Sequence, residues 1–143
     1  MKFLVLNGPN LGRLGTREPE IYGSATYSDL VQMCESHAAS IGVEVDARQS
    51  DDESVIISWL HEAADQDLPV ILIPAAFTHY SIAIRDAAAA VKFLIEVHLT
   101  NPHTREEFRH ISYISGVSTG VIAGFGFNSY RLAISAMKEL LVR

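Results

Sequence analysis

The 143-residue sequence predicts an α/β fold: an open, doubly wound, five-stranded parallel sheet in a three-layer sandwich. Short apolar stretches with the length of strands alternate five times with stretches that have helical spacing. One of these strands, Val70–Ile73, is apolar throughout, which is typical of a parallel strand buried on both faces. Because the chain is 48% hydrophobic and of moderate length, we expect one well-packed domain over residues 1–143.

The predicted strands share an apolar composition and the length of buried strands. Right-handed crossovers between parallel strands bring their carboxyl ends to one edge, where ligands bind in open α/β sheets. We therefore expect a site at that edge. The five segments are Phe3–Leu6, Val43–Gln49, Val70–Ile73, Phe93–Leu99 and Val117–Ala123.

Helix signals lie between these strands. The clearest is a capping box formed by Thr26 and Asp29, which opens a helix that Gly42 ends. Another predicted helix runs from about Ser81 into the alanines at 87–90, whose small side chains favour close packing. The remaining predicted helices are one capped by residues 50–53, a short one over residues 105–113, and one over residues 129–141 that closes the chain.

The charge balance limits the kind of partner. Eleven Lys and Arg residues against 17 Asp and Glu residues give a net charge of −6, which disfavours nucleic acid and anionic membranes. A small anionic ligand needs only two or three arginines. Four arginines lie in predicted loops or loop edges: Arg13, Arg17, Arg105 and Arg109.

Cysteine usage and hydropathy predict a cytoplasmic protein. The single cysteine, Cys34, lies on the apolar face of a predicted helix and reads as a small core residue. The apolar run near the start, Phe3–Leu6, is too short for a signal peptide. No stretch approaches the roughly 18 apolar residues of a membrane span.

The unusual polar residues follow the strands. The first strand is followed by the 7–23 loop, NGPNLGRLGTREPEIYG, which is longer than a turn requires. Loops of this length at a sheet edge often bind or cover ligands. Further polar segments follow the third, fourth and fifth strands, at residues 74–81, 98–103 and 124–128.

Within the 7–23 loop, Tyr22 lies five residues after Arg17. A guanidinium beside a phenol stabilises the phenolate, lowers the pKa of the phenol below its usual value of about 10, and makes it a general base. Alternatively, Tyr22 anchors the loop by packing its ring, and Arg17 is a solvated charge. The sequence leaves both readings open.

The fourth strand offers a proton donor. Glu96 and His98 are two residues apart and therefore share a face of the strand, so the carboxylate can orient and charge the imidazole. A strand-end histidine can also be merely a hydrogen-bonded polar group. His79, after the third strand, is either a hydrogen-bond donor to substrate or a helix cap.

The sequence lacks the residues that metal, nucleotide-cofactor and imine chemistry require. No second histidine follows His61-Glu62 at the zinc-protease spacing, and neither a dinucleotide-binding glycine fingerprint nor a phosphate loop occurs. The lysines lie away from the strand carboxyl ends, so imine chemistry has no nucleophile. We therefore expect no metal and no cofactor. What remains is a base, an acid and anion-binding groups, an inventory that suits a dehydratase or lyase.

Three segments resemble the type II 3-dehydroquinate dehydratases of the shikimate and quinate pathways. They are the 7–23 loop, FTHYSIAIRDA at 77–87 and IEVHLTNPHTREEFRHISYIS at 95–115, and the similarity covers nearly the whole chain. The resemblance implies a flavodoxin-like fold, dehydration of 3-dehydroquinate to 3-dehydroshikimate by anti elimination through an enolate, and trimers stacked into dodecamers.

The resemblance also implies roles for individual residues. Tyr22 would remove the C2 proton with the help of Arg17, and His98, oriented by Glu96, would protonate the leaving C1 hydroxyl. Asn10 would hold a water on the enolate oxygen. The implied substrate-binding residues are His79, Leu99, Thr100, Arg109 and Asp86, the last reaching the site of a neighbouring subunit.

The sequence departs from the family pattern at Ile73, where an asparagine with polar substrate contacts is usual. Thr100 in place of serine keeps its hydroxyl, and Asn128-Ser129 in place of Gln-Gly alters a turn. Two rival functions follow. One is a paralogue that acts on a different cyclic hydroxy acid or acts weakly, and the other is a non-catalytic flavodoxin-like binding module.

Overall fold

The computed structural model describes residues 1–16 and 18–143, and for Tyr22 it describes the backbone only. Its five strands form one parallel sheet in the order β2-β1-β3-β4-β5, which confirms the predicted doubly wound topology. The strands are β1 (Lys2–Asn7), β2 (Glu44–Gln49), β3 (Val70–Ile73), β4 (Leu94–His98) and β5 (Gly120–Ala123).

Helices cover both faces of the sheet. Helices α2 and α5 pack together over one face, and α3 and α4 pack together over the other, so each face has its own apolar cluster. Along β1, Phe3 and Val5 enter the first cluster whereas Leu4 and Leu6 enter the second, as strand alternation requires. The helices are α1 (Pro19–Tyr22), α2 (Tyr27–Ser40), α3 (Glu53–Gln66), α4 (Ile82–Ala88) and α5 (Asn128–Leu141).

The predicted helix starts are confirmed where caps were identified. The Thr26 hydroxyl accepts the backbone N–H of Asp29 while the Asp29 carboxylate accepts that of Thr26, so the capping box is complete. Ser81 caps α4 by accepting the N–H of Ile84. Within the described residues, no helix is long and apolar enough to cross a bilayer.

Two predicted segments are wrong in extent. Strand β5 begins at Gly120, because Ser115–Val117 forms a 3-10 turn. Residues 105–113 contain only the 3-10 turn Glu107–Arg109. The backbone after this turn bonds to another segment: the N–H of Tyr113 donates to the carbonyl of Thr78 at 2.8 Å. That bond takes the place of a continued helical ladder.

A buried network fixes the end of β1. The Asn7 side chain, 1% exposed, accepts a 2.6 Å hydrogen bond from the Tyr130 hydroxyl and donates to the carbonyl of Arg48 at 3.1 Å. Tyr130 belongs to α5 and is fully buried. The 7–23 loop therefore leaves the sheet from a position that is tied to both β2 and α5.

Replacing Tyr130 with phenylalanine is expected to lower the free energy of unfolding by about 1–3 kcal/mol, because the buried Asn7 carbonyl oxygen loses its donor. Urea denaturation of purified variants measures this change. Tyr113, which is 46% exposed, provides the matched control as Tyr113→Phe, with an expected change within about 0.5 kcal/mol. Equal stability of Tyr130→Phe and wild type would contradict the network's role.

Candidate active site

A cleft of about 770 Å³ opens at the carboxyl edge of the sheet. It lies beyond the ends of β1, β3 and β4, next to the point where the strand order reverses, as expected for open α/β sheets. Six of the residues predicted for the site line this cleft: Asn10, His79, His98, Leu99, Thr100 and Arg109.

Four predicted site residues are not placed in the cleft lining. Glu96 lies behind His98, where it contacts the imidazole. Asp86 is exposed on α4 and bonds to neighbouring Arg85 at 2.9 Å. Arg17 and the side chain of Tyr22 lie outside the described residues, although the backbone of Tyr22 ends the short helix α1.

The His98 and Glu96 side chains are paired on one face of β4. The Nε2 atom of His98 lies 2.5 Å from Oε2 of Glu96, and the Glu96 side chain has no solvent exposure. Because a carboxylate accepts hydrogen bonds, Nε2 carries the proton of this contact. Nδ1 is therefore the ring nitrogen left for a ligand.

Hydrogen bonding holds Glu96 in its ionised form. Burial raises the pKa of its carboxyl, but hydrogen bonds from His98, Ser115 and Thr78 outweigh burial and lower the pKa to about 2. The ordinary value is 4.5, so the ionised carboxylate stabilises the fold above pH 4.5. That contribution is lost as the pH falls towards 2.

His79 is held in one tautomer. Its Nδ1 lies 2.8 Å from the carbonyl oxygen of Ile111, which can only accept, so Nδ1 donates. The ring also meets Phe108 edge to face, with centroids 6.5 Å apart. In the neutral imidazole, Nε2 is then an acceptor, which suits a ligand hydroxyl. The expected donor role therefore requires the protonated ring.

Asn10 is positioned by its backbone. It adopts a left-handed conformation with φ of 71°, and its N–H donates to Oδ1 of Asp51 at 2.9 Å. Just before it, Gly8 passes so close to β3 that a Cβ would lie 2.7 Å from the carbonyl oxygen of Pro74. Among the described residues the Asn10 amide group has no hydrogen-bond partner, so it is available to a ligand in the cleft.

Two arginines face the cleft from the segment after β4. Nε of Arg109 donates to Glu106 at 3.0 Å, and its guanidinium lies 4.7 Å from the centre of the Phe108 ring. Arg105 also lines the cleft, with Nε 3.7 Å from the Glu106 carboxylate. From the sequence, Arg105 was only one of four loop arginines. No local spacing signal places Arg105 and Arg109 on one side, because the segment between them contains only the 3-10 turn Glu107–Arg109.

One wall of the cleft is apolar. Ile73 ends β3 beside Asn7, is 2% exposed, and packs in the cluster under α2 and α5. Leu11, Leu14 and Leu99 are buried in the same cluster and also line the cleft. A ligand therefore meets cations and imidazoles on one side and hydrocarbon at the ends of β1 and β3.

No group of three or more His, Cys, Asp or Glu side chains within residues 1–16 and 18–143 is arranged to hold a metal ion. His103 and His110 approach each other, with ring centroids 5.5 Å apart, and both are exposed.

Known proteins match the chain over nearly its full length. The family model for dehydroquinase class II matches residues 1–138. The 3-dehydroquinate dehydratases of Salinispora tropica and Mycobacteroides abscessus are 58% and 56% identical to it over 135 residues, covering 94% of this chain and 94% of each relative. The crystal structure of type II dehydroquinase from Propionibacterium acnes superposes with a TM-score of 0.94 at 49% identity, covering 95% of this chain and 94% of that one. The chain therefore belongs to the class II dehydroquinase family of enzymes.

Proposed function

We propose that the chain dehydrates 3-dehydroquinate to 3-dehydroshikimate and water as a hydro-lyase of the shikimate pathway. The observation that carries this proposal is the buried Glu96–His98 pair at the edge of a cleft that also contains Arg109 and Asn10. This pair supplies an acid beside groups suited to a carboxylate and an enolate. Membership of the class II dehydroquinase family supports the same substrate.

The proposed reaction removes hydrogen from C2 and hydroxide from C1. The Tyr22 phenolate, stabilised by Arg17, takes the C2 proton, and the electron pair of the C–H bond moves to the carbonyl oxygen to form an enolate. Asn10 holds a water that donates to this oxygen. The enolate then collapses, a C1–C2 double bond forms, and the C1–O bond breaks on the opposite face.

His98 protonates the departing hydroxyl so that it leaves as water. Its Nε2 is engaged by Glu96, so the donated proton comes from Nδ1 of the imidazolium. The ionised Glu96, 2.5 Å from Nε2, accepts the hydrogen bond that orients the ring. The product imidazole keeps the Nε2 proton and therefore stays aligned for the next cycle.

Substrate binding uses the two sides of the cleft. Arg109, the backbone of Leu99 and the hydroxyl of Thr100 would hold the substrate carboxylate, and Nε2 of His79 would accept a hydrogen bond from a ring hydroxyl. No cofactor enters this scheme. The whole of residues 1–143 would act as one catalytic domain in the cytoplasm.

A trimer-based dodecamer is part of the proposal. Asp86 does not line the cleft of its own chain, which supports a role at the site of a neighbouring copy. Tyr80 and Ile82, shortly before it in the sequence, are 60% and 51% exposed, which fits an interface. The same reaction step serves both shikimate supply and quinate breakdown.

A direct assay tests the proposed activity. Purified protein is mixed with 3-dehydroquinate, and the ultraviolet absorbance of the conjugated product is followed. We expect absorbance to rise in proportion to enzyme concentration. A folded protein that produces no change would contradict the proposal and favour the non-catalytic binding module.

Ile73 favours a second candidate function, a paralogue with a different cyclic hydroxy acid or weak activity. Ile73→Asn is expected to lower KM for 3-dehydroquinate about two- to tenfold, the equivalent of one regained hydrogen bond. Ile73→Val, which keeps the wall apolar, should leave KM unchanged. Steady-state kinetics with both variants makes the comparison, and an unchanged KM in Ile73→Asn would favour the paralogue or a compensating contact.

A further inference from the structure

We propose that Thr78, Ser112 and Ser115 are positioning residues, a hydroxyl cage that keeps Glu96 anionic and thereby keeps His98 competent as the acid. The proposal rests on the proposed dehydration, because it assigns these residues to that reaction. None of the three hydroxyls touches the reacting atoms in the scheme. They act through Glu96, which acts through His98.

The cage contacts both oxygens of the carboxylate. The hydroxyls of Thr78 and Ser112 each lie 2.8 Å from Oε2 of Glu96, and the hydroxyl of Ser115 lies 2.5 Å from Oε1. With Nε2 of His98, four polar side chains contact one carboxylate that has no solvent exposure. A buried carboxylate is stable as an anion when its oxygens are satisfied in this way.

The directions of the hydrogen bonds follow from counting protons. The Ser112 oxygen accepts the backbone N–H groups of Ile114 and Ser115, both at 3.1 Å, which occupies its two lone pairs. It therefore cannot accept from Thr78, although the two oxygens are 2.8 Å apart. The Thr78 hydroxyl then donates to Glu96, and the Ser112 hydroxyl donates either to Glu96 or to Thr78.

These directions leave Glu96 facing donors. A protonated Glu96 would need an acceptor for its own proton, whereas the hydroxyls of Thr78 and Ser115 donate to it. The cage thus opposes transfer of the shared proton from Nε2 of His98 to the carboxylate. Such a transfer would leave a neutral imidazole at the substrate, which is a far weaker proton donor than an imidazolium.

The backbone holds the cage in place. Thr78 lies in the 3-10 turn Ala75–His79 after β3, and the two serines precede β5. The bond from the N–H of Tyr113 to the carbonyl of Thr78 ties these segments together. Consequently, the turn that carries His79 into the cleft also carries one wall of the cage.

Removing one donor tests the cage. Ser115→Ala is expected to lower kcat about ten- to hundredfold, the range for a hydrogen bond to a charged group, while KM changes less than about twofold. Ser115→Thr, which keeps the hydroxyl, should restore most of kcat. Ser118→Ala is the matched control, because its hydroxyl lies just after the same turn but donates to the carbonyl of Ile114 at 2.8 Å and not to Glu96.

A titration separates positioning from general packing. The carboxyl carbon of Glu96 is labelled with carbon-13, and its NMR signal is assigned by its absence in Glu96→Gln. We expect the pKa of Glu96 read from this signal to be higher in Ser115→Ala than in wild type or Ser118→Ala. Thr78→Val, which keeps the side-chain shape, should shift the titration in the same direction. It replaces Ser115→Ala if that variant does not fold.

The outcomes are distinct. Wild-type kcat and an unshifted Glu96 titration in Ser115→Ala and Thr78→Val would overturn the cage. An equal loss of kcat in Ser118→Ala would also overturn it, since packing would then explain the effect. If the wild type does not turn over 3-dehydroquinate, the proposed function fails, and the titration alone decides whether the hydroxyls hold Glu96 ionised.

Discussion

Tyr22→Phe is expected to lower kcat for 3-dehydroquinate by about 10²–10⁴-fold, the usual contribution of a positioned general base. The variant keeps the aromatic ring but lacks the oxygen that takes the C2 proton. Binding of the product 3-dehydroshikimate, measured by calorimetry, should change less than about threefold. The variant therefore separates chemistry from recognition.

A second readout makes the Tyr22 prediction specific. In D₂O, wild type should exchange or remove the C2 hydrogen, whereas Tyr22→Phe should do neither, as followed by proton NMR. Tyr113→Phe is the control, because Tyr113 is 46% exposed, does not line the cleft and should keep wild-type kinetics. Retained turnover in Tyr22→Phe would remove Tyr22 from the role of base and favour the loop-anchor reading.

His98→Asn is expected to reduce kcat by about 10²–10⁴-fold for a different reason, loss of the acid that protonates the leaving hydroxyl. The base is untouched in this variant, so the enolate still forms. Exchange of the C2 hydrogen with solvent deuterium should therefore continue while elimination is slow. This pattern is the opposite of that expected for Tyr22→Phe.

The control for His98→Asn is His61→Asn, since His61 is exposed on α3 and outside the cleft. Its kinetics should match wild type within about twofold. If His98→Asn lost both exchange and elimination without loss of folding, His98 would act before or during proton abstraction. A role as leaving-group acid alone would then be wrong.

Local chemistry explains which features could be predicted from the sequence. The capping box of Thr26 and Asp29 depends on a fixed spacing of three residues, and the structure contains both of its hydrogen bonds. Glu96 and His98 share a face because strand periodicity is two, so their contact could be expected from spacing alone. The polar edge of the sheet follows from parallel topology.

Features that depend on distant segments could not be predicted in this way. The hydroxyl cage joins Thr78 to Ser112, 34 residues later, and no local spacing indicates that both meet Glu96. The tautomer of His79 is set by the carbonyl of Ile111, which is 32 residues away. The expected helix over 105–113 is absent because this segment uses its backbone groups for these long-range bonds.

Ile73 shows where sequence and structure give complementary information. The sequence identifies an apolar residue where the family pattern has a polar one. The structure adds that Ile73 is 2% exposed and packed with Leu11, Leu14 and Leu99, so an asparagine there would need a partner in the cleft. The presence of isoleucine where the family has asparagine therefore affects the apolar wall of the cleft and leaves the His98–Glu96 pair untouched.

Elimination from stereospecifically labelled substrate tests the proposed reaction most directly. 3-Dehydroquinate carrying a single deuterium at C2, either anti or syn to the C1 hydroxyl, is incubated with the purified protein, and the product is examined by NMR and mass spectrometry. We predict 3-dehydroshikimate that has lost deuterium from the anti-labelled substrate and retained it from the syn-labelled one. Loss of the syn label, or a folded protein that forms no product, would contradict a site in which base and acid act from opposite faces.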